Sequence, residues 1–541
     1  MAHDRFRPSF DLKTMRRLLV VFLACSCAFE LAAQPVRPRL STSTPTLIVL
    51  LTIDQLRPDY LTLFGPQFTG GLARLTKDGA VFLNGWQDHA ITETAPGHAS
   101  TLSGRFPRST GIVANNAGVG DVQSPLLGVS GEGASPFRFR GTTLTDWLRY
   151  ANPATRALSV SRKDRGAILP LGRAKQEAYW YALNGTFTTS RYYADTLPDW
   201  VKRFNARRLP HHYAGTSWTL LLNPAQYREA DSIPLESGGR DFTFPHALPT
   251  DSNDAAVALQ GVPMMDEVTL ALALEGVRQK ALGTGDRTDV LAVSLSTTDA
   301  VGHRFGPDSR ELHDQVLRLD RYLGVFLDSL FKMRDSTRIV IALTADHGVA
   351  PLPEAKSRYP NTGAGRVNLG PLWADTRARL LTAGADSAGV AFDEAILYLH
   401  PGALAPAGIH ADSVARTFAE EAARIPGVLR VDLVRELGQR DTTRDDIARR
   451  WFHMIPPDSP AAAVVTLKPY WYWEGVGYAT HGSPHDYDAN VPIILWGTRI
   501  KAGRYPDKAR VVDLAPTLAE LAGVRPMERL DGKVLRVWMR P

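Results

Sequence analysis

Thr46-Leu47-Ile48-Val49-Leu50-Leu51-Thr52-Ile53 is a continuous apolar run, rich in branched side chains, that ends in Asp54. A strand apolar at every position, and not at alternate ones, is buried on both faces, as in a parallel sheet covered by helices. Two more runs repeat the pattern. Val290–Leu295 (VLAVSL) is followed by Asp299, and Arg338–Thr344 (RIVIALT) by Asp346. Val81–Leu83, Arg156–Ser161 and Val491–Trp496 read as further strands. Helical stretches lie between them, around Leu72–Leu75, Asp266–Lys280, Ser309–Phe331 and Leu514–Leu521; in the third, Leu312, Val316, Leu319, Leu323 and Leu330 keep helical spacing. Strands alternating with helices predict an α/β fold, a mainly parallel central sheet with helices on both faces.

The chain has 541 residues, more than one hydrophobic core usually holds. Two segments break the alternation. One, at about 192–263, is irregular, aromatic and Pro-rich; the other, at about 350–475, shows one strand (Ala395–Leu399) and one helix (near Asp412–Ala423). Both read as insertions in a single catalytic domain spanning 34–541. Ala117–Phe137, rich in Gly, Ser and Pro, reads as a surface loop. The Gly-x-Gly fragments at Gly118 and Gly283 do not join a strand to a helix, so they carry no dinucleotide signal.

Residues 1–33 read as a signal peptide: Arg16-Arg17, an apolar run from Leu18 to Phe29, then small residues at Ala32-Ala33. That run is too short to span a bilayer, and no later one is long enough, so stable membrane insertion is not expected. Both cysteines, Cys25 and Cys27, lie inside it, which leaves the exported chain with no thiolate ligand or disulfide. A lipid anchor at Cys25 fits poorly, since Phe22-Leu23-Ala24 is a weak lipobox. The net charge of +6 falls to +4 without this segment, which holds five Lys/Arg and three Asp/Glu. No dense basic run accompanies it, so nucleic-acid binding is not expected. The expectation is a periplasmic or secreted monomer.

The stretch with chemical promise is Ile91-Thr92-Glu93-Thr94-Ala95-Pro96-Gly97-His98. Thr94 suits a helix N-cap, with Pro96 in the first turn. A hydroxyl there faces unpaired N–H groups and the positive end of a helix dipole, which suits an alkoxide nucleophile and the phosphate it attacks. Capping alone is the plainer reading. What weighs against it is the set Asp54, Asp299, His303, Asp346, His347 and His481, most of it at strand ends, where an open α/β sheet forms its ligand crevice. Converging carboxylates repel one another unless cations intervene, and carboxylate and imidazole without thiolate suit Zn2+, with Mn2+ or Fe as alternatives.

Together these residues resemble, in order and spacing, the alkaline phosphatase superfamily, and within it the type I phosphodiesterase/nucleotide pyrophosphatase group. The resemblance implies an alkaline phosphatase-like fold and two Zn2+ per chain. It implies one ion held by Asp299, His303 and His481, and another by Asp54, Asp346, His347 and the hydroxyl of Thr94, the nucleophile. It implies a phosphoryl contact from Asn115, with Asn116 as the neighbouring alternative. Lys163-Asp164-Arg165 is similar to the Lys-x-Arg pair of the threonine-nucleophile bacterial alkaline phosphatases, which act on small phosphate monoesters. Charge matching supports this: two Zn2+ are cancelled by three carboxylates and an alkoxide, so a monoester dianion needs two further cations. If the segment is extended, residues i and i+2 reach one anion together. The expectation is an exported zinc-dependent phosphomonoesterase working through a phospho-threonine. The alternatives are a phosphodiesterase or nucleotide pyrophosphatase, or a metal- or phosphate-binding protein without turnover. A sulfatase is disfavoured, since Thr94-Ala95-Pro96-Gly97-His98 is not a formylglycine motif. His98 reads as structural, His211-His212 as surface, His485 as a loop residue and Tyr470–Trp473 as packing.

Overall fold

In this computed structural model, residues 44–355 and 363–536 are described. The expected signal peptide, with both cysteines, lies outside them. Nine strands build the central sheet: β1 Leu47–Ile53, β2 Ala80–Trp86, β3 Ala157–Ser161, β4 Glu177–Tyr181, β5 Phe187–Thr188, β6 Asp289–Leu295, β7 Ile339–Thr344, β8 Ile493–Gly497 and β9 Gly503–Arg510. Their spatial order is β9-β2-β8-β7-β1-β6-β3-β4-β5. The pairs β7-β1, β1-β6, β6-β3, β3-β4 and β9-β2 are parallel. β8 runs against both β7 and β2, and β5 against β4. The sheet is mixed, with parallel strands in the majority.

β1 is buried at every position, as are β6 and β7 on either side. That is why these runs are apolar throughout: each face carries a layer of helices, and solvent reaches neither. Truncating Leu50, fully buried in this layer, would cost about 2–5 kcal/mol. The register aligns Thr52 with Thr344 and Ile53 with Leu295, so β7, β1 and β6 end side by side. Ser161 of β3 pairs with Ser294. Four neighbouring strands therefore open onto one crevice at their carboxyl ends. Among the described residues, no single helix is long and apolar enough to cross a membrane.

The segment after β7 holds more regular structure than its sequence suggests. Val390–Asp393, Ile396–Leu399, Ala461–Leu467 and Val428–Leu433 form an antiparallel sheet of four strands, packed on helices Gly370–Thr382 and Ala411–Ala422. One strand and one helix were expected. Ala461–Leu467 (AAAVVTL) opens on three alanines, and Val428–Leu433 (VLRVDL) carries two charges, so neither reads as a buried run. A further helix, Asp446–Met454, fixes this unit to the crevice. Its Trp451 and Met454 pack with Ala90 and Ile91, and Arg449 grips the buried carboxylate of Asp88 at 3.0 Å. The earlier segment, 192–263, is made of short helices and two-residue strands, and His211 in it is buried, where a surface position was expected.

Candidate active site

Helix α1, Thr94–Ser103, enters the crevice with every residue buried. Its N-cap is Glu93, in extended conformation, and Thr94 is the first helical residue. This corrects the expected cap by one position: the backbone turns helical at Thr94, so its hydroxyl lies free of capping duty at the helix mouth. Gly97 makes the close approach possible, since a Cβ there would stand 2.3 Å from the Asp346 carbonyl. The Ala95 N–H donates to Asn115 Oδ1 at 2.9 Å. A backbone N–H can only donate, so this bond fixes the Asn115 amide with its NH2 as the remaining donor. Asn115 lines the crevice, whereas Asn116 donates to Asp393 of the inserted unit, which separates the two.

Asp54 follows β1 directly. Asp299 and His303 lie one turn apart on helix α2, Thr297–Phe305, which starts just beyond β6. Asp346 and His347 follow β7, and His481 comes from a late loop. His303 Nε2 lies 3.1 Å and His481 Nε2 3.6 Å from Asp299 Oδ1. His347 Nε2 lies 3.4 Å from Asp54 Oδ1 and 3.6 Å from Asp346 Oδ2. Donor atoms of Asp299, His303 and His481 fall within 4.8 Å of one another, as do those of Asp54, Asp299 and His347. Asp299 thus stands between the two groups.

The histidines are oriented alike. Nδ1 of His303 bonds the Ala479 carbonyl (2.6 Å), that of His481 the Thr92 carbonyl (2.8 Å) and that of His347 the Gly348 carbonyl (2.9 Å). A carbonyl can only accept, so each Nδ1 donates a proton to it and each Nε2 is the ring nitrogen that faces the crevice. The His347 Nε2 and the Asp54 carboxylate oxygens are buried without a hydrogen bond, although Lys163 Nζ stands 2.6 Å from Asp54 Oδ2. A donor set of carboxylates and imidazole nitrogens, buried and in part short of hydrogen bonds, can hold divalent metal ions.

The electrostatics agree. Burial, then the charges of Asp299 and Asp346, raise the Asp54 carboxyl above the ordinary range. Burial also pushes Asp299 upward, but His303 and Lys163 outweigh it and hold Asp299 well below. Burial depresses His347, helped by His481. For His481 burial acts downward too, and its bond to Asp299 overrides it, to about 9. Asp299 and Asp346 are stabilised as carboxylates by neighbouring cationic groups, and Asp54 is the one left short of positive charge, which a bound cation would supply.

Helix α3, Asp164–Ile168, is short, and Lys163 is its extended N-cap. The expected extended Lys163-Asp164-Arg165 segment is therefore corrected: the chain turns helical at Asp164, an acidic first-turn residue. Lys163 and Arg165 both still line the crevice, a cleft of about 520 Å3 that also takes in Thr94 and Asn115. Lys163 Nζ donates to Thr94 Oγ1 at 3.1 Å and to Asp299 Oδ2 at 2.7 Å. Arg165 keeps a buried Nε without a hydrogen bond.

Two residues support the candidate ligands, and sequence reasoning missed the first of them. Gln55 adopts φ 65, donates its N–H to Asp346 Oδ1 (3.1 Å), and donates its Nε2 to Asp299 Oδ1 (3.0 Å). A left-handed non-glycine residue costs about 1–2 kcal/mol, and here the distortion ties two ligand carboxylates together. Its place right after Asp54 was the available signal. His98, read as structural, lies 3.2 Å from Asp346 Oδ2 through Nδ1 and 2.9 Å from Ser294 Oγ through Nε2, so it supports a candidate ligand. His485 is buried against the Leu467 carbonyl, away from the cleft mouth.

The family described as type I phosphodiesterase/nucleotide pyrophosphatase matches residues 48–488. The chain belongs to that family. It is 31% identical to alkaline phosphatase PhoV of Synechococcus elongatus, over 96% of this chain and 98% of the relative. It is 32% identical to alkaline phosphatase PhoK of a Sphingomonas species, over 92% of each chain. The crystal structure of wild-type alkaline phosphatase PafA superposes with a TM-score of 0.84 at 28% identity, covering 92% of this chain and 100% of that one. The fold is that of these alkaline phosphatases, and the chain is an enzyme of the phosphoric ester hydrolase class.

Proposed function

We propose that this enzyme is an exported, zinc-dependent alkaline phosphatase that hydrolyses small phosphate monoesters through a phosphorylated Thr94. The observation that carries the reading is the ammonium of Lys163 beside the Thr94 hydroxyl, with Arg165 lining the same cleft. A monoester phosphoryl group is a dianion, and this pair supplies the two cations it calls for. A diester has one charge fewer and a bulky substituent on one oxygen, so the pair would serve it less.

Asp299, His303 and His481 would hold one zinc ion; Asp54, Asp346, His347 and the Thr94 hydroxyl would hold the other. Bound there, the ions supply Lewis acidity, easing loss of the Thr94 proton and of the leaving group. Thr94 Oγ1, at the N-terminus of α1, attacks phosphorus in line. Lys163, Arg165 and the Asn115 amide hold the equatorial oxygens while charge shifts onto the leaving oxygen. Water then attacks phosphorus from the face that the leaving alcohol vacates and breaks the phosphorus–Oγ1 bond, so that inorganic phosphate leaves and Thr94 takes back a proton. His98 and Gln55 keep Asp346 and Asp299 in place throughout.

The test compares a phosphate monoester with a diester of the same leaving group, with zinc content measured on the same sample. A strong monoester preference with two zinc ions per chain supports the reading; a diester preference overturns it in favour of a phosphodiesterase.

A further inference from the structure

We infer that Asp488 is a shared positioning residue for the two loops that carry His347 and His481: its side chain sets the affinity of the His481-side candidate zinc position from behind, and its backbone ties in the His347 loop. The inference rests on the zinc reading above and is independent of which residue is the nucleophile.

His347 and His481 come from distant parts of the chain and face different donor groups. Their rings nevertheless stack, with centroids 3.5 Å apart and planes 16° from parallel. Something behind them has to hold the two loops at one spacing, and Asp488 does so with both its side chain and its backbone. Its Oδ2 accepts from the Ser483 N–H at 2.9 Å and from the Ser483 hydroxyl at 2.5 Å, two residues past His481. Its carbonyl accepts from the Gly348 N–H at 2.7 Å, one residue past His347. The seam continues on either side: Val349 N–H reaches the Tyr487 carbonyl at 3.2 Å, and Ala350 N–H the Thr480 carbonyl at 2.9 Å.

Gly348 makes this contact possible, because a Cβ there would stand 2.2 Å from the Tyr487 carbonyl oxygen. The glycine that closes Asp346-His347-Gly348 is thus a matter of approach to the Tyr487-Asp488 backbone. Asp488 is 1% exposed, and its Oδ1 accepts no hydrogen bond. Keeping a half-satisfied carboxylate in the interior is costly, since an unpaired buried acceptor loses its hydration without return. A side chain present only to fill space would be apolar. The carboxylate is where it is because its other oxygen holds the His481 loop, and groups that orient ligands in this way are worth about 10–100-fold in metal affinity.

The experiment titrates zinc-loaded wild type, Asp488→Ala, Asp488→Asn and Ser483→Ala with a chelator, reading each zinc released per chain and the thermal unfolding of each protein. Asn keeps an acceptor for Ser483, so it is the conservative rescue. In Asp488→Ala the His481-side ion is expected to leave at lower chelator, with affinity down by about 10–100-fold, and the His347-side ion is expected to change less because the backbone bond to Gly348 remains, while Asp488→Asn stays within a few-fold of wild type. Ser483→Ala is expected to weaken the His481-side ion more than the other. Release of both ions from Asp488→Ala at wild-type chelator concentrations would overturn the inference, as would a loss greater at the His347-side position than at the His481-side one. Should Asp488→Ala fail to fold, Ser483→Ala decides: wild-type release of both ions from it overturns the inference. A wild-type chain that holds no zinc after loading overturns the zinc reading, and this inference with it.

Discussion

Lys163 Nζ stands 3.1 Å from Thr94 Oγ1, and the same ammonium contacts Asp54 at 2.6 Å and Asp299 at 2.7 Å. The proposed nucleophile, the proposed cation for the substrate and a carboxylate from each candidate donor group therefore meet at one point. Lys163→Ala is expected to lower kcat/KM for a monoester by about 10²–10³-fold, the size of losing one preorganised donor to a developing charge. The diester of the same leaving group should lose much less. Equal losses on the two substrates would refute the charge-matching argument, provided zinc content is unchanged.

Thr94→Ala should abolish turnover, by about 10⁴-fold or more, and still bind zinc, because the six carboxylate and imidazole donors remain. Steady-state assays on a metal-loaded sample check this. A variant retaining full activity would remove Thr94 from the reaction.

Chelation should remove activity, and zinc should restore it where Ca2+ does not, since the donor set lacks the six to eight oxygens that Ca2+ prefers. His98→Ala should mimic partial metal loss, with about a 10–100-fold fall in zinc affinity through Asp346, whose Oδ2 lies 3.2 Å from the His98 ring. Equilibrium dialysis reads both effects.

A pH dependence of stability arises away from the crevice. Burial lowers the pKa of His246, but bonds to Glu311 (3.0 Å) and Asp241 (3.1 Å) outweigh it and raise it above 6.5. A folded pKa raised above the unfolded one means the imidazolium stabilises the fold fully below the unfolded value. That contribution is lost as pH rises through the higher folded value. Tm of the wild type should therefore decline from about pH 6.5 upward, and His246→Gln should lack that part of the decline. Parallel Tm-against-pH curves would contradict it.

What could be read without the structure follows from how local each signal is. Asp54, Asp299 and Asp346 were visible because each follows an apolar run whose burial on both faces shows in composition alone. Thr94 was visible through its polar neighbours and Pro96, though its place within the helix was not, since cap and first-turn positions differ by one backbone dihedral pair. The geometry of Lys163 and Arg165 was misjudged because an extended cap followed by one helical turn leaves no periodicity to see. Gln55 and His98 act through contacts with residues about two hundred or more positions away, and Asp488 ties a near neighbour, Ser483, to the distant Gly348, which no local pattern encodes. The strands Val428–Leu433 and Ala461–Leu467 went unread because two charges interrupt the first and three alanines open the second.

The central claim, that Thr94 accepts the phosphoryl group before water does, is tested most directly by stereochemistry at a chiral, isotopically labelled phosphate monoester. Each in-line displacement inverts phosphorus, so transfer to Thr94 and then to water or an alcohol acceptor returns net retention. Net inversion would show a single direct displacement and contradict the covalent role of Thr94.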